Sequence, residues 1–373
     1  MLRGRGLLLW RRVRIKTTFQ SVADGEKVYN LTSDDIITNR QERLQSCFIG
    51  SFIFTNSIGE GLMSSRTRLI NEIKGNSLDD GPGIRTVVFF KGCPLSCVWC
   101  HNPESVLTGR ELSFDSDVCL GCGSCMENCP EQAVSPENPC FIDRAACTLC
   151  FHCVETCPSG ALSGVGRPMT VEDVLDAVLP DKEFFNASGG GVTLSGGEPT
   201  LYMQFSADLA AALKARGINV LLETCGYFSP DAFMNRLFPH LDAIYFDLKL
   251  HDAARHMHYC GVDNRIILEN FSLLNRRASS EGFVLLPRVP LIPGVTDTRE
   301  NLAALSEFLE RQGVSRVQLL PYNPLWPDKE RKVGRPTEFG AKVQQAGFMS
   351  LAHVERCEGI FSSHNITPVR EAL

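Results

Sequence analysis

The stretch Lys91-Gly-Cys93-Pro-Leu-Ser-Cys97-Val-Trp-Cys100-His-Asn-Pro103 directly follows an apolar run at residues 86–90. The run predicts a buried β-strand, so the cysteines lie in the loop that leaves it. Three thiolates at this C-x3-C-x2-C spacing can bind three irons of a four-iron cubane. The fourth iron then has no protein ligand, and an open position distinguishes a catalytic metal site from a closed structural one. A zinc knuckle or structural thiols are the alternatives for the spacing by itself.

Residues on both sides of this motif carry a family resemblance. Asp80-Gly-Pro-Gly-Ile-Arg-Thr86 precedes it and His101-Asn102-Pro103 follows it. With the cysteines, they resemble the radical S-adenosylmethionine (SAM) enzymes, and among these the activating enzymes of glycyl radical enzymes. The resemblance implies that Cys93, Cys97 and Cys100 hold a [4Fe-4S] cluster at which SAM is reductively cleaved to methionine and a 5'-deoxyadenosyl radical. It implies that this radical abstracts hydrogen from a glycine of a partner glycyl radical enzyme, which makes the chain an anaerobic oxidoreductase.

The composition is that of an ordinary globular protein. The chain has 373 residues, 43% of them apolar, and a net charge of −6, and no block of like charges in its body suggests a nucleic-acid-binding surface. Eleven of the 16 cysteines lie in metal-type spacings between Cys93 and Cys157. Clustered C-x2-C units favour metal binding in a reducing compartment over disulfides, so we expect a cytoplasmic protein. No apolar run reaches the length of a membrane span.

The amino-terminal residues 1–63 are expected to be a disordered extension. Residues 1–16 contain basic side chains and no acid, and residues 7–10 form an apolar patch. A transit peptide or a membrane-surface helix is one interpretation. Translation from Met63 is the other and is favoured, because the family resemblance begins only after this residue.

Two further cysteine blocks follow the first motif. They are Cys119-x2-Cys122-x2-Cys125-x3-Cys129-Pro130 and Cys147-x2-Cys150-x2-Cys153-x3-Cys157-Pro158. This is the spacing of bacterial ferredoxins, in which three cysteines of a block bind one cluster and the fourth binds the other. It assigns Cys119, Cys122, Cys125 and Cys157 to one [4Fe-4S] cluster, and Cys147, Cys150, Cys153 and Cys129 to a second. Cys140 fits neither pattern and is predicted to be a plain thiol. Two zinc sites are the alternative.

The insert that carries these blocks, residues 104–165, has two candidate roles. Four protein ligands close each cluster, so its chemistry is confined to electron exchange. The insert either conducts electrons toward the first cluster or braces the surface that meets the partner enzyme, and the sequence leaves both open. Residues 133–134 and 161–162 are expected to begin its small paired strands.

Strand-like and helix-like segments alternate after the insert. Strand-like runs lie at 191–194, 219–223, 242–248, 283–289 and 316–320, and helical patterns at 171–179, 203–216, 231–238, 266–277 and 299–312. This alternation predicts parallel βα units, whose chemistry lies at the carboxyl ends of the strands. The resemblance implies an α/β fold, a partial (βα)6 TIM-type barrel in residues 64–103 and 166–373, with a bacterial-ferredoxin-like 2[4Fe-4S] domain inserted at 104–165.

The resemblance also places SAM-binding residues at the predicted strand ends. Gly196-Gly197-Glu198 follows the second strand, and two glycines let backbone approach a ligand; in the family this segment receives the methionyl amino group. Asp247-Leu248-Lys249 ends the fourth strand. Its carboxylate and ammonium are expected to contact SAM or a monovalent cation near it, and a surface ion pair is the alternative.

Other cofactor contacts follow from the same resemblance. The paired N–H donors of the Arg288 guanidinium match the geometry of the SAM carboxylate. Asn323, which stands where the best-known members have histidine, is expected near the adenosyl group. Trp99, Cys100 and His101 complete the cofactor-binding set. Cys225 is interpreted as a packing residue, and His251, His256 and His258 as loop histidines.

Two other functions stay open at this point. One is a radical SAM enzyme that acts on a small molecule, and the other is a multi-cluster electron-transfer protein without catalysis. The expected partners are a glycyl radical enzyme as substrate and a flavodoxin or ferredoxin as electron donor, with no nucleic acid and no membrane. Decarboxylase, diol dehydratase, choline lyase, sulfonate lyase and succinate-adding partner types are all compatible with the sequence.

Overall fold

The computed structural model describes residues 67–370, so the predicted extension at 1–63 lies outside the described residues. The strands in this part of the chain are β1 (Thr67–Ser77), β2 (Arg85–Phe90), β3 (Glu111–Phe114), β4 (Leu162–Val165), β5 (Arg167–Thr170), β6 (Gly191–Gly196), β7 (Asn219–Thr224), β8 (Ala243–Asp247), β9 (Val284–Pro290), β10 (Arg316–Leu320) and β11 (Thr367–Val369). The helices are α1 (Ser124–Glu127), α2 (His152–Glu155), α3 (Val171–Val178), α4 (Lys182–Ser188), α5 (Met203–Lys214), α6 (Pro230–Ala232), α7 (Ala253–Cys260), α8 (Arg265–Glu281), α9 (Arg299–Arg311), α10 (Trp326–Lys332), α11 (Glu338–Gln344) and α12 (Leu351–Ser362).

One large sheet contains nine of these strands, in the order β11-β10-β9-β8-β7-β6-β2-β1-β5. From β2 to β11 every neighbouring pair is parallel, whereas β1 pairs antiparallel with both β2 and β5. The chain therefore forms an α/β fold with a large, mostly parallel sheet. The six predicted strands are confirmed, and their ends differ from the prediction by at most two residues. Helix 231–238 is realised as α6 followed by a π-helical turn at Phe233–Leu237.

The core lies between the sheet and the helices packed on it. Fully buried strand residues such as Val88, Leu222 and Ile244 meet helix residues such as Leu209 and Phe271. Burial of a side chain of this size contributes roughly 1.5–3 kcal/mol. Parallel strands with both faces covered give near-continuous apolar runs, which is why these strands were visible in the sequence.

The insert has a small core of its own, formed by Leu112, Val134, Ile142, Cys153 and Leu162. Leu162 begins β4 as expected, but its partner strand is β3, with Phe114 opposite Leu162. Val134 forms only an isolated bridge with Ile142. Leu162 therefore begins a paired strand as expected, whereas the pairing that begins at Val134 is limited to a single bridge.

No helix between Thr67 and Arg370 is both long and apolar enough to cross a membrane.

Candidate active site

The cysteine loop after β2 is held by backbone hydrogen bonds on both sides. On one side, the amides of Gly92 and Cys93 donate to the carbonyls of Ser105 (2.7 Å) and Val106 (3.1 Å). The last carbonyls of a helix lack partners within the helix. At the end of α7, the carbonyl of Cys260 accepts from the Ser96 amide (2.9 Å) and that of Tyr259 from the Val98 amide (3.0 Å). The loop is therefore clamped between the 103–106 turn and the carboxyl end of α7.

The three cysteines of the loop fit an iron–sulfur cluster by their donor chemistry. Cys93, Cys97 and Cys100 are free thiols, and the Cys100 amide donates to the Cys97 carbonyl at 3.1 Å, which turns the loop back on itself. Burial and the neighbouring thiols Cys97 and Cys93 raise the pKa of Cys100. Thiolates bunched in this way require a cationic ligand, and coordination to metal supplies it.

A buried charge network joins the ends of four neighbouring strands. Arg288 of β9 bonds the carboxylates of Glu223 on β7 and Asp247 on β8, with 2.9 Å from Nε to Asp247 Oδ1. Ser195 Oγ, on β6, donates to Glu223 at 2.6 Å. Lys249 Nζ lies 3.2 Å from Asp247 Oδ2. Because Asp247 and Arg288 are register partners in the sheet, the pairing follows from the strand alignment.

The network holds Lys249 as a permanent cation beside the cysteines. Burial alone would lower the pKa of Lys249, but Asp247 and the thiols of Cys97, Cys225 and Cys260 raise it well above its ordinary value. Burial likewise opposes ionisation of Asp247, yet the charges of Arg288 and Lys249 lower its pKa. Lys249 therefore offsets negative charge at the cysteine loop.

The Gly196-Gly197 pair lies against the turn that begins the cysteine loop. A Cβ on Gly197 would come within 2.2 Å of the Gly92 carbonyl oxygen, and one on Gly196 within 2.4 Å of the Phe90 nitrogen. The Glu198 amide donates to the same Gly92 carbonyl at 2.8 Å. Both glycines are therefore required by the close approach of β6 to the end of β2.

The Glu198 carboxylate is buried and bonded within the protein. Its Oε1 accepts from Thr200 N (3.1 Å), Thr200 Oγ1 (2.7 Å) and Thr224 Oγ1 (2.9 Å), and its Oε2 accepts from Cys225 N at 2.7 Å. These bonds tie the loop after β6 to the end of β7. The carboxylate fixes the loop that carries the two glycines.

The remaining predicted SAM contacts occupy different surroundings. Trp99 is buried in a cluster with Leu95, Cys225 and Cys260. Leu248 is also buried, and its amide donates to the Arg288 carbonyl at 2.8 Å. His101 lies exposed, with its ring stacked on Trp326 of α10 at 6.4 Å between centroids. Asn323 accepts from Leu325 N at 3.0 Å and so stabilises its own turn after β10.

Several residues that hold the site had no local signal in the sequence. Cys225 and Cys260 are buried beside Cys93 and Cys97 respectively. Asn301 of α9 donates to the Lys249 carbonyl (3.1 Å) and accepts from the His251 amide (2.9 Å), so it fixes the chain that follows β8. Its partners are about 50 residues away in sequence, and only the fold reveals the role.

The loop interpretation of the histidines was wrong for two of the three. His256 and His258 lie on α7, and buried His256 hydrogen-bonds the Val262 carbonyl through Nδ1 at 2.7 Å. A helix here was not predicted because three polar residues, Arg255, His256 and His258, interrupt the apolar pattern of this eight-residue segment. Within residues 67–370, no three Cys, His, Asp or Glu side chains converge on a single metal ion.

The cysteines of the insert line two cavities. Cys119, Cys122, Cys125 and Cys157 line one of about 660 Å³, together with Cys140 and with Arg331 and Lys332 from α10. Cys129, Cys147, Cys150 and Cys153 line a much smaller one of about 10 Å³, with Leu112 and Phe151. Each cavity thus gathers one of the two four-cysteine sets, including the cysteine that crosses over from the other block.

Comparison with known proteins gives the family. The model of the radical SAM superfamily matches residues 87–306. The chain is 41% identical to the isethionate sulfite-lyase activating enzyme of Nitratidesulfovibrio vulgaris, over 76% of this chain and 93% of that protein. It is 37% identical to the choline trimethylamine-lyase activating enzyme of Oleidesulfovibrio alaskensis, over 79% and 96%. It is also 37% identical to the trans-4-hydroxy-L-proline dehydratase activating enzyme of Clostridioides difficile, over 77% and 95%. The chain therefore belongs to the radical SAM superfamily and, within it, to the activating enzymes of glycyl radical enzymes.

Proposed function

We propose that this chain activates a partner glycyl radical enzyme from the site at the carboxyl ends of β2 and β6–β9. A [4Fe-4S] cluster and SAM, when bound, supply the 5'-deoxyadenosyl radical that removes hydrogen from a glycine of the partner. The observation that carries the proposal is the loop of Cys93, Cys97 and Cys100, clamped on both sides and facing Lys249. Such a fixed site positions its reactants before the reaction begins.

The residues of the chain have separate tasks in this proposal. Cys93, Cys97 and Cys100 hold three irons and leave the fourth open. Lys249, kept protonated by Asp247, offsets the charge of the thiolates. Arg288 holds Glu223 and Asp247 in place, while Gly196 and Gly197 bring the β6 backbone to the edge of the cysteine loop. We include the predicted SAM contacts in the proposal, among them Asn323 and His101, whose ring stacks on Trp326 of α10.

We extend the proposal to the architecture. The six strands β2 and β6–β10 are parallel, and helical or loop segments connect each of them to the next. This arrangement supports a partial (βα)6 barrel in residues 64–103 and 166–373. The grouping of the insert cysteines into two sets of four supports two further [4Fe-4S] clusters in the insert at 104–165. A flavodoxin or ferredoxin is the proposed electron donor.

The first experiment is reductive SAM cleavage with a candidate partner. The reconstituted, reduced protein is mixed with SAM and a glycyl radical enzyme, beginning with the isethionate and choline lyases on which the relatives act by name. We expect 5'-deoxyadenosine and a glycine-centred EPR doublet on the partner, and neither product from a Cys93/Cys97/Cys100→Ala variant. 5'-Deoxyadenosine without a glycyl radical on any partner would favour a small-molecule substrate. No 5'-deoxyadenosine from protein with verified clusters would leave only electron transfer.

The role of the insert needs a second comparison. Cys122→Ala and Cys150→Ala each remove one ligand of one proposed insert cluster and leave the catalytic loop intact. Activity that survives with a strong artificial reductant but not with a protein donor supports electron conduction. Loss of partner binding with normal electron uptake supports a bracing role instead.

A further inference from the structure

The guanidinium of Arg144 in the insert is incompletely paired. Its Nη1 donates to the Leu112 carbonyl at 2.9 Å. Its Nε and Nη2 are buried and have no hydrogen-bond partner among residues 67–370. A buried donor left unpaired is unfavourable, and more so when it is charged. The guanidinium therefore keeps a positive charge that a negative group nearby would stabilise.

The guanidinium is built into the junction between the insert and the main sheet. Gly334, between α10 and α11, covers it so closely that a Cβ there would lie 2.2 Å from Arg144 Nε. The next residue, Arg335, pairs with Glu111 of β3 and donates to the Pro103 carbonyl at 2.7 Å. Arg144 is thus held in place from both sides of the junction.

Positive charge is in excess at this junction. Lys91, which is fully buried, also pairs with Glu111, at 2.5 Å. Lys91, Arg335 and Arg144 therefore gather around the single carboxylate of Glu111, while Glu104 pairs with Lys329 instead. Uncompensated cations away from water are unfavourable, so a buried surplus of this kind indicates an anion nearby.

The second cysteine set, with a cluster bound, is one source of such a negative charge. Leu112, whose carbonyl binds Arg144, lines the cavity of Cys129, Cys147, Cys150 and Cys153. Burial lowers the pKa of Arg144, while Glu111 and the thiolates of Cys140 and Cys147 act in the opposite direction. Cys147 thus lies within electrostatic reach of the guanidinium.

We propose that Arg144 is a redox-tuning residue of the cluster held by Cys129, Cys147, Cys150 and Cys153. Reduction by the electron donor adds one electron to this cluster and neither forms nor breaks a bond, so its negative charge increases by one. A fixed guanidinium beside it stabilises the reduced state more than the oxidised state and raises the midpoint potential. This cluster thereby becomes the preferred site for an electron that enters the insert. This inference rests on the proposed function, because it requires the second cluster to be present.

The test is an EPR-monitored redox titration in the Cys93/Cys97/Cys100→Ala background, in which the signals of the two insert clusters are free of the third. Arg144→Met removes the positive charge. Arg144→Lys keeps the charge but lacks the forked N–H donors of the guanidinium. Arg167→Met is the control, since Arg167 is an exposed cation of β5 that lines neither cysteine cavity. Arg331→Met acts on the other cluster, whose cavity Arg331 lines.

We expect Arg144→Met to make one cluster about tenfold harder to reduce, a downward shift of about 59 mV for a one-electron couple. Arg144→Lys should retain most of the potential, and Arg331→Met should move only the other signal. Iron and sulfide contents show whether each variant holds both clusters. If the potentials do not move in fully loaded Arg144→Met, or if Arg167→Met shifts them equally, this inference is overturned and the proposed function stays intact. Absence of the second cluster from the parent protein would overturn both.

Discussion

Replacing Gly196 by alanine tests how the main sheet positions the cysteine loop. Gly196 ends β6 at a φ of +105° and is the register partner of Phe90. An added Cβ would lie 2.4 Å from the Phe90 nitrogen, 2.6 Å from its oxygen and 2.7 Å from the Phe89 carbonyl carbon. All three atoms belong to the backbone of β2. The methyl group is therefore accommodated only if the strand end that leads into Cys93 moves.

The magnitude follows from two terms. A non-glycine residue in a sparsely populated backbone region costs about 1–3 kcal/mol, and overpacking adds about 1–3 kcal/mol. The sum, roughly 2–6 kcal/mol, is a large share of the 5–15 kcal/mol that stabilises a typical domain. Gly217→Ala is the matched control: its φ is +70°, but a Cβ there meets no atom within 4 Å. It carries only the left-handed penalty of about 1–2 kcal/mol.

The assay compares thermal midpoints, iron content and 5'-deoxyadenosine formation. At about 2–4 °C per kcal/mol, Gly217→Ala should lower the midpoint by roughly 2–8 °C and leave SAM cleavage unchanged. Gly196→Ala should lower it further and abolish most SAM cleavage, because the cysteine loop is displaced. If Gly196→Ala matches Gly217→Ala in midpoint and cleaves SAM at the wild-type rate, the close approach of β6 does not position the loop and the reasoning fails.

Three other variants test the remaining contacts. Glu198→Gln places an amide NH₂ against a backbone donor and should destabilise the protein by about 1–3 kcal/mol; an unchanged thermal midpoint with a raised KM for SAM would instead place this carboxylate on the substrate. Lys91→Met leaves the buried Glu111 carboxylate only partly paired and should destabilise the protein by up to about 3–5 kcal/mol. The Lys91→Met/Glu111→Gln double variant should recover part of the lost thermal midpoint. Equal midpoints for the single and the double variant would refute the pairing. Burial lowers the pKa of His256, so the folded protein favours the neutral imidazole. The free energy of unfolding is therefore highest above the ordinary histidine pKa of about 6.5 and decreases as the pH falls below it. The free energy of unfolding, measured by urea titration between about pH 7 and pH 5, should decrease less in His256→Asn than in the wild type. His258→Asn, at an exposed position on the same helix, should follow the wild type.

The central strands could be predicted because burial on both faces makes their sequences continuously apolar, as in residues 219–223. The antiparallel edge was missed because β1 alternates half-buried and exposed residues. That weaker pattern does not distinguish such a strand from a loop.

The cysteine spacings predict the cluster ligands because a cluster needs its thiolates close together along the chain. The partners that fix the ligands are distant in sequence: Tyr259 and Cys260 bind a loop that begins near residue 93. Glu198 shows the same limit. Its motif was visible, but the four bonds that occupy its carboxylate come from Thr200, Thr224 and Cys225, at the ends of two strands that meet only in the folded sheet.

The junction of the insert and the main sheet connects these observations. Lys91 is two residues before Cys93 and pairs with Glu111 on the first strand of the insert, and Arg335 secures the same carboxylate from the segment after α10. The insert therefore cannot shift against the cysteine loop without exposing a buried carboxylate or leaving a buried ammonium unpaired. A rigid attachment of this kind serves a brace, and it equally serves a conductor, because electron transfer requires clusters held at a fixed separation. Rigidity alone therefore does not separate the two roles. The two roles are separated by the activities of Cys122→Ala and Cys150→Ala with different electron sources. Only loss of a conductor abolishes activity with a protein donor and leaves activity with an artificial one.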